Sequence, residues 1–154
     1  MGHFEFEMPS KLAPAKLFAW YTDFSPQDAG INKQYGDGSL IARDIRKTDD
    51  GHIICEQRMR IGRSEVPAQY RITLHPENLT YEAEMEIGNL VSQKRLYEFR
   101  QREGGSLIHV KIDYTPKAGI VKLLNALGLY KRIDRRMSRG TMGSYIKAAE
   151  AELD

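Results

Sequence analysis

Four polar residues interrupt stretches in which alternate residues are otherwise apolar or aromatic. Arg43 lies between Ile41 and Ile45, Gln57 between Cys55 and Met59, and Gln93 and Arg95 run into Tyr97 and Phe99. A period of two puts alternate residues on one face of a strand, so these groups turn inward with their apolar neighbours. Asp134 has the same character on a helix, falling about 40° from Tyr130 and inside an apolar stripe. A buried guanidinium is costly unless it pairs or meets water in a cavity. The chemistry these residues offer is binding. Arg43, Gln57 and Arg95 floor a pocket, Asp134 faces it, and Tyr70, Tyr81, Tyr97 and Tyr130 wall it. Such a wall suits a planar or elongated apolar ligand with one polar or anionic end. Two other arrangements fit the same residues. A one-residue register slip turns Arg43 and Arg95 to solvent, or an Arg–Asp pair merely locks helix to sheet.

Catalysis has less behind it. The histidines are His3, His52, His75 and His109, with no His-x-His or HxxxH pair, so no metal site is expected. Alternation puts His109 on the wet face, and His52 and His75 fall at turns. Cys55 on an apolar strand reads as an inert core thiol. Gly36-Asp37-Gly38 leads into a strand and not a helix, so it makes no phosphate loop, and no cofactor is expected. An enzyme built on this chain would take its acid or base from Asp134, a tyrosine, or a water held by Arg95.

The elements that position these groups follow from periodicity. Phe4, Phe6 and Met8 alternate with Glu5 and Glu7, as in a strand with one wet face. Ser10 and Pro14 announce a short helix carrying Leu17, Phe18, Trp20 and Tyr21. Ser25-Pro26 restarts the chain, and Gln27–Gln34 forms a second short helix that Gly36-Asp37-Gly38 ends. Strands are then expected over Ile41–Lys47, Ile53–Ile61, Ala68–Leu74, Thr80–Ile87, Val91–Arg102 and Leu107–Tyr114, each closed by turn residues such as Asp49-Asp50-Gly51. Tight turns between successive strands make an antiparallel meander. Its apolar face is covered by a long helix from Ala118 to Leu153. Leu123, Ala126, Leu127, Tyr130, Ile133, Met137, Thr141, Tyr145 and Ala148 form one side of that helix. Gly128, Gly140 and Gly143 mark a bend or a place where bulk is excluded.

Lys131, Arg132, Arg135, Arg136 and Arg139 fall on the opposite side, five cations against Asp134 alone. A membrane surface or an acidic protein partner could read this stripe. No aromatic platform accompanies it, so nucleic acid is not expected. The chain of 154 residues carries a net charge of only +2. At this size about two-thirds of the surface of the open chain can be buried, enough for one domain with a full core or a core with a pocket. A single cysteine excludes a disulfide framework. The start of the chain has no signal-peptide pattern, and the longest apolar stretch, near Ala118–Leu129, is too short to span a bilayer. The expectation is a soluble, cytoplasmic protein forming one domain over 1–154.

An α+β chain with a strand, two short helices, a six-strand meander and a long C-terminal helix resembles the helix-grip proteins of the START/SRPBCC (pollen-allergen-like) superfamily. Within it, the chain is most similar to the polyketide cyclase/dehydrase and lipid-transport group. The resemblance covers Phe4–Met8, Pro14–Asp23, the meander and Pro116-Lys117-Ala118-Gly119. It implies a curved seven-stranded antiparallel sheet wrapped around the last helix, with a mostly apolar cavity between them. It also implies a small hydrophobic ligand, with an entrance near Gln27–Gly38 and the early turns of the last helix. The alternative it implies is a cyclase or dehydratase acting on an aromatic or polyketide chain. Fold membership does not choose between the two.

Overall fold

The computed structural model describes residues 1–24 and 27–153, so the expected restart at Ser25-Pro26 lies outside the described residues. Strand β1 (Gly2–Ser10) is followed by helices α1 (Pro14–Tyr21) and α2 (Asp28–Tyr35). The meander comprises β2 (Leu40–Lys47), β3 (Ile53–Ile61), β4 (Ser64–His75), β5 (Thr80–Ile87), β6 (Val91–Arg102) and β7 (Gly105–Pro116). Helices α3 (Gly119–Ala126) and α4 (Tyr130–Leu153) complete the described chain. These residues form a curved, wholly antiparallel seven-stranded sheet in the order β1-β7-β6-β5-β4-β3-β2. Each meander strand pairs with its sequence neighbours, as tight turns require, and β1 closes against β7. Alternation survives in the burial: Tyr81, Ala83, Met85 and Ile87 are buried while Glu82, Glu84 and Glu86 are exposed.

The core lies on the inner face, where Ile72, Ile108, Val110, Ile112 and Tyr114 are almost wholly buried. Helix α1 covers one end by setting Phe18 edge-on to Phe99, with ring centroids 5.3 Å apart. Pro14 opens α1 as its first residue, but Ser10 does not cap it. Ser10 ends β1 instead, and its hydroxyl accepts the Leu12 amide. Helix α4 packs most closely on α2, α1 and edge strand β1, and stands off from the middle strands. That separation leaves a hollow under the helix.

Two local expectations fail for identifiable reasons. The C-terminal helix is broken, because Gly128 takes φ 72° between Leu127 and Leu129. That left-handed conformation ends α3 and lets α4 start on a new phase. The apolar stripe drawn through both halves therefore does not hold across the break. Val121 is the buried residue of α3, whereas Leu123, Ala126 and Leu127 are exposed. Gly140 and Gly143 remain inside α4, and a side chain at Gly140 would meet open space. At the other end of the sheet, the β2–β3 register shifts between Leu40 and Ala42. This bulge turns Leu40 inward together with Arg43 and displaces Ile41, which alternation had placed inside.

Gly105 also matters, with φ 153° and a backbone that leaves no room for a side chain. A Cβ there would lie 2.1 Å from the Ser10 carbonyl oxygen. Gly105→Ala should lower stability by about 3 kcal/mol through backbone strain at the β1–β7 seam. Urea unfolding checks this, and an unchanged midpoint would show that the seam relaxes freely.

Candidate functional site

The hollow between the sheet and α3–α4 has a volume of about 190 Å³. All eight residues selected from the sequence line it: Arg43 on β2, Gln57 on β3, Tyr70 on β4, Tyr81 on β5, Arg95 and Tyr97 on β6, and Tyr130 and Asp134 on α4. Met85, Ile87, Val121, Leu124, Met137 and Met142 supply apolar wall. Met137 and Thr141 of the helix stripe are only partly covered because they face this space, and Ile133 lines it while remaining exposed.

The polar residues form two clusters of similar design. In the first, the Arg95 guanidinium donates from Nε to Gln93 Oε1 at 2.8 Å, from Nη1 to the Tyr97 hydroxyl at 3.2 Å, and from Nη2 to Asp134 Oδ1 at 3.2 Å. Ser138 also donates to Asp134 Oδ1, at 3.0 Å. Asp134 Oδ2 accepts from the Gln93 amide and, at 3.0 Å, from the Tyr130 hydroxyl. Both carboxylate oxygens are thus fully engaged. In the second, Arg43 donates from Nε to Gln57 Oε1 at 3.0 Å and from Nη1 to Asp28 Oδ2 of α2 at 2.7 Å. Gln57 then donates to the Tyr70 hydroxyl at 2.8 Å.

Strand register explains why these groups meet. Arg43 sits directly opposite Gln57, and Arg95 sits opposite Ala83, whose small side chain gives the guanidinium space. Tyr97 and Tyr81 are also cross-strand partners, and their rings stack with centroids 4.2 Å apart. No register slip turns Arg43 or Arg95 to solvent, and the pocket and the Arg–Asp pair coexist. Arg95 is paired with Asp134 across the sheet–helix gap and also lines the cavity. Gln93 is buried behind this pair and bridges it without lining the space.

Sequence reasoning missed two tyrosines. Tyr21 of α1 and Tyr145 of α4 both line the cavity, with rings edge-on at 5.7 Å, yet periodicity marks them only as core. The Tyr145 hydroxyl is buried with no hydrogen-bond partner among the described residues. The hydroxyls of Tyr21 and Tyr81 make no hydrogen bond among the described residues either. A signal was available: phenols in an otherwise aliphatic stripe bring a polar atom that must be satisfied. A second hollow, of about 210 Å³, lies toward α1 and α2 and shares Tyr21, Phe24, Arg43 and Tyr145 as wall.

Residues passed over for catalysis lie elsewhere. His3 is beside Asp113, His52 beside Thr73, His75 near Glu82 and His109 beside Glu5, none of them in the cavity wall. Burial pushes the Cys55 thiol up to about 11, which leaves it protonated and inert at neutral pH. The basic stripe is partly committed: Arg135 lies over the Phe4 ring at 5.5 Å, and Arg139 donates to the Glu7 carbonyl at 3.1 Å. Lys131, Arg132 and Arg136 are exposed and make no ion pair among the described residues.

Two outcomes follow from this geometry. Asp134→Leu strands a buried guanidinium and should cost about 3–5 kcal/mol, whereas Arg95→Met with Asp134→Leu should recover most of that. Denaturant unfolding of both variants measures the difference; equal losses would mean the pair is not desolvated. Burial also holds the tyrosine protons, pushing Tyr70 up to about 12 and raising Tyr21, Tyr81, Tyr130 and Tyr145. A folded phenol that binds its proton more tightly than the unfolded one stabilises the fold below the ordinary value of 10.0, and that stability is lost as pH rises toward 12. Phenolate absorbance from these five tyrosines should therefore appear together with loss of tertiary structure above pH 10, and their ionising in a still-folded protein would contradict it.

No family model and no curated protein matches the chain by sequence. Solved structures do match by shape. TTHA0849 from Thermus thermophilus aligns with a TM-score of 0.80 at 12% identity, over 99% of this chain and 100% of that one. The Zhui aromatase/cyclase from Streptomyces sp. R1128 gives 0.78 at 11% identity, over 99% and 96%. Norcoclaurine synthase from Thalictrum flavum, in complex with dopamine and hydroxybenzaldehyde, gives 0.65 at 16% identity, over 99% and 88%. With the grip of sheet on helix, the hollow between them and these likenesses in hand, the chain is assigned the helix-grip fold.

Proposed function

We propose that the protein binds or carries a small, mostly apolar and uncharged ligand in the cavity beneath α4. The observation that carries this is a buried Tyr145 hydroxyl, without a hydrogen-bond partner among the described residues, in the wall of an apolar cavity. An unsatisfied buried hydroxyl costs about 1–3 kcal/mol, which a ligand oxygen removes once a small shift of the Tyr145 ring opens the hydroxyl to the cavity. Arg43, Gln57, Tyr70, Tyr81, Arg95, Tyr97, Tyr130 and Asp134 form the ligand-binding wall in this proposal.

Charge and hydrogen bonding narrow the ligand. Each guanidinium already has a carboxylate, Asp28 for Arg43 and Asp134 for Arg95, so an added anion would be an uncompensated buried charge. This favours an uncharged polar end over an anionic one. Asp134 and the side-chain carbonyls of Gln57 and Gln93 are already accepting hydrogen bonds, while the Tyr21, Tyr81 and Tyr145 hydroxyls have protons to give. The best guest presents an oxygen acceptor, as a ketone, ester or quinone does. Size narrows it further, since a cavity of about 150 Å³ is known to hold benzene. About 190 Å³ then fits one ring with a short substituent, and anything longer requires Arg43 and Tyr145 to yield toward the neighbouring hollow.

The second reading is a cyclase- or dehydratase-like enzyme, supported by the likeness to the Zhui aromatase/cyclase. A tyrosine hydroxyl would serve as its proton donor, because Asp134 has no free lone pair to act as base. For location, among the described residues no helix is long and apolar enough to cross a membrane, and we place the protein in the cytoplasm as part of this proposal. For partners, we propose the cavity ligand together with an anionic surface, of a membrane or an acidic protein, at the exposed cations of α4.

Calorimetry with acetophenone, ethylbenzene and benzoate tests the site. Acetophenone should bind about fivefold tighter than ethylbenzene and leave unchanged, with benzoate weakest. Tyr145→Phe should remove the advantage of acetophenone and spare ethylbenzene. Absence of heat with all three probes would end the ligand-binding reading, and a chemically altered probe would favour the enzyme.

A further inference from the structure

Apolar side chains open to solvent are not scattered over this protein. Met1 aside, the most exposed large ones are Leu127 (63%), Ile120 (59%), Leu123 (55%), Ile133 (44%) and Leu129 (38%), all within 14 consecutive residues. Ile120, Leu123 and Leu127 follow helical spacing along the outer side of α3, while Val121 and Leu124 on the other side line the cavity. A short helix apolar on both sides has one side that lacks a cover. Ile133 belongs to both regions, exposed and lining the cavity, so the patch adjoins the cavity mouth.

Along the segment that carries the patch, the charges have one sign. Between Ala118 and Ile133 the charged residues are Lys122, Lys131 and Arg132, all exposed, with no carboxylate among them. Arg136 extends this rim one turn further along α4. We propose that α3 and the start of α4 dock on an anionic lipid bilayer, with Ile120, Leu123 and Leu127 entering the acyl boundary and the lysine and arginine rim meeting the headgroups. Branched aliphatic residues ringed by cations on a convex helix match an interfacial surface. A second copy of the chain is disfavoured, because it would bring two basic rims together. The patch also lacks exposed tryptophan or tyrosine, the usual anchors of a protein interface. Docking places the cavity mouth against the bilayer, so an apolar ligand could pass between them without crossing water. This last consequence rests on the ligand-binding reading; the docking does not.

Flotation with vesicles of phosphatidylcholine alone and of phosphatidylcholine mixed with phosphatidylglycerol tests the surface directly. The full chain should float with the mixed vesicles and be released by salt. Leu123→Glu with Leu127→Glu should weaken that binding about tenfold or more while leaving probe binding in the cavity intact. These side chains are exposed, so the variant should fold, and its unfolding midpoint verifies this. Equal flotation by variant and parent, or no flotation of the parent, overturns the proposal. So does a concentration-dependent dimer, or a salt-sensitive complex with an acidic protein, that the same substitutions abolish without any vesicle binding. Flotation that persists when no probe binds the cavity would sink the ligand-binding reading alone.

Discussion

A positive charge buried on the concave side of a sheet has to be neutralised from outside that sheet. Arg43 and Arg95 point into the concavity from β2 and β6, and the meander supplies glutamines beside them but no carboxylate. The acids come from the covering helices, Asp28 on α2 and Asp134 on α4. Two ion pairs therefore fasten two helices to two separated strands, and each is supported by an amide that fixes the orientation of its guanidinium. Net stability gained from such pairs is small, since desolvation offsets attraction. Their effect is on geometry: α4 is held at a set height and rotation above the sheet.

That height leaves the cavity. Helix α4 approaches β1 at the edge, but over β4, β5 and β6 the distance is spanned by long polar side chains and tyrosine rings in place of interdigitated aliphatics. A guanidinium–carboxylate bridge is a longer spacer than a leucine contact, and Ala83 opposite Arg95 removes bulk where the bridge passes. The same pairs decide the chemistry of the space. With carboxylate and amide oxygens already accepting, what remains are hydroxyl and guanidinium protons, which makes the wall a donor surface without net charge.

Proteins of this shape have sequences that agree at 11–16% of positions with this chain. Such divergence preserves element order, alternation and the covering helix, because these satisfy any apolar inner face. Shape alone does not fix the lining, where function is set. The second distinctive feature here lies at the Gly128 break. A continuous helix would have carried one apolar stripe inward along its length; the break instead turns the outer side of α3 to solvent near Ile133, which also lines the cavity.

Much of this was legible in the chain itself. The period of two and the turn residues set Ile53–Ile61, Thr80–Ile87 and Val91–Arg102 to the residue, since local sterics and side-chain partition determine them. The same alternation turned Arg43, Gln57 and Arg95 inward, and helical spacing did so for Asp134. Other features required the assembled fold. The β2 bulge, the phase change at Gly128 and the pairing of Asp28 with Arg43 join residues through backbone irregularity or across long loops, and periodicity carries no information about either. Whether a tyrosine such as Tyr145 satisfies its hydroxyl or leaves it bare depends on which atoms from distant strands stand within about 3.5 Å, a distance that exists only after the sheet has closed around the helix.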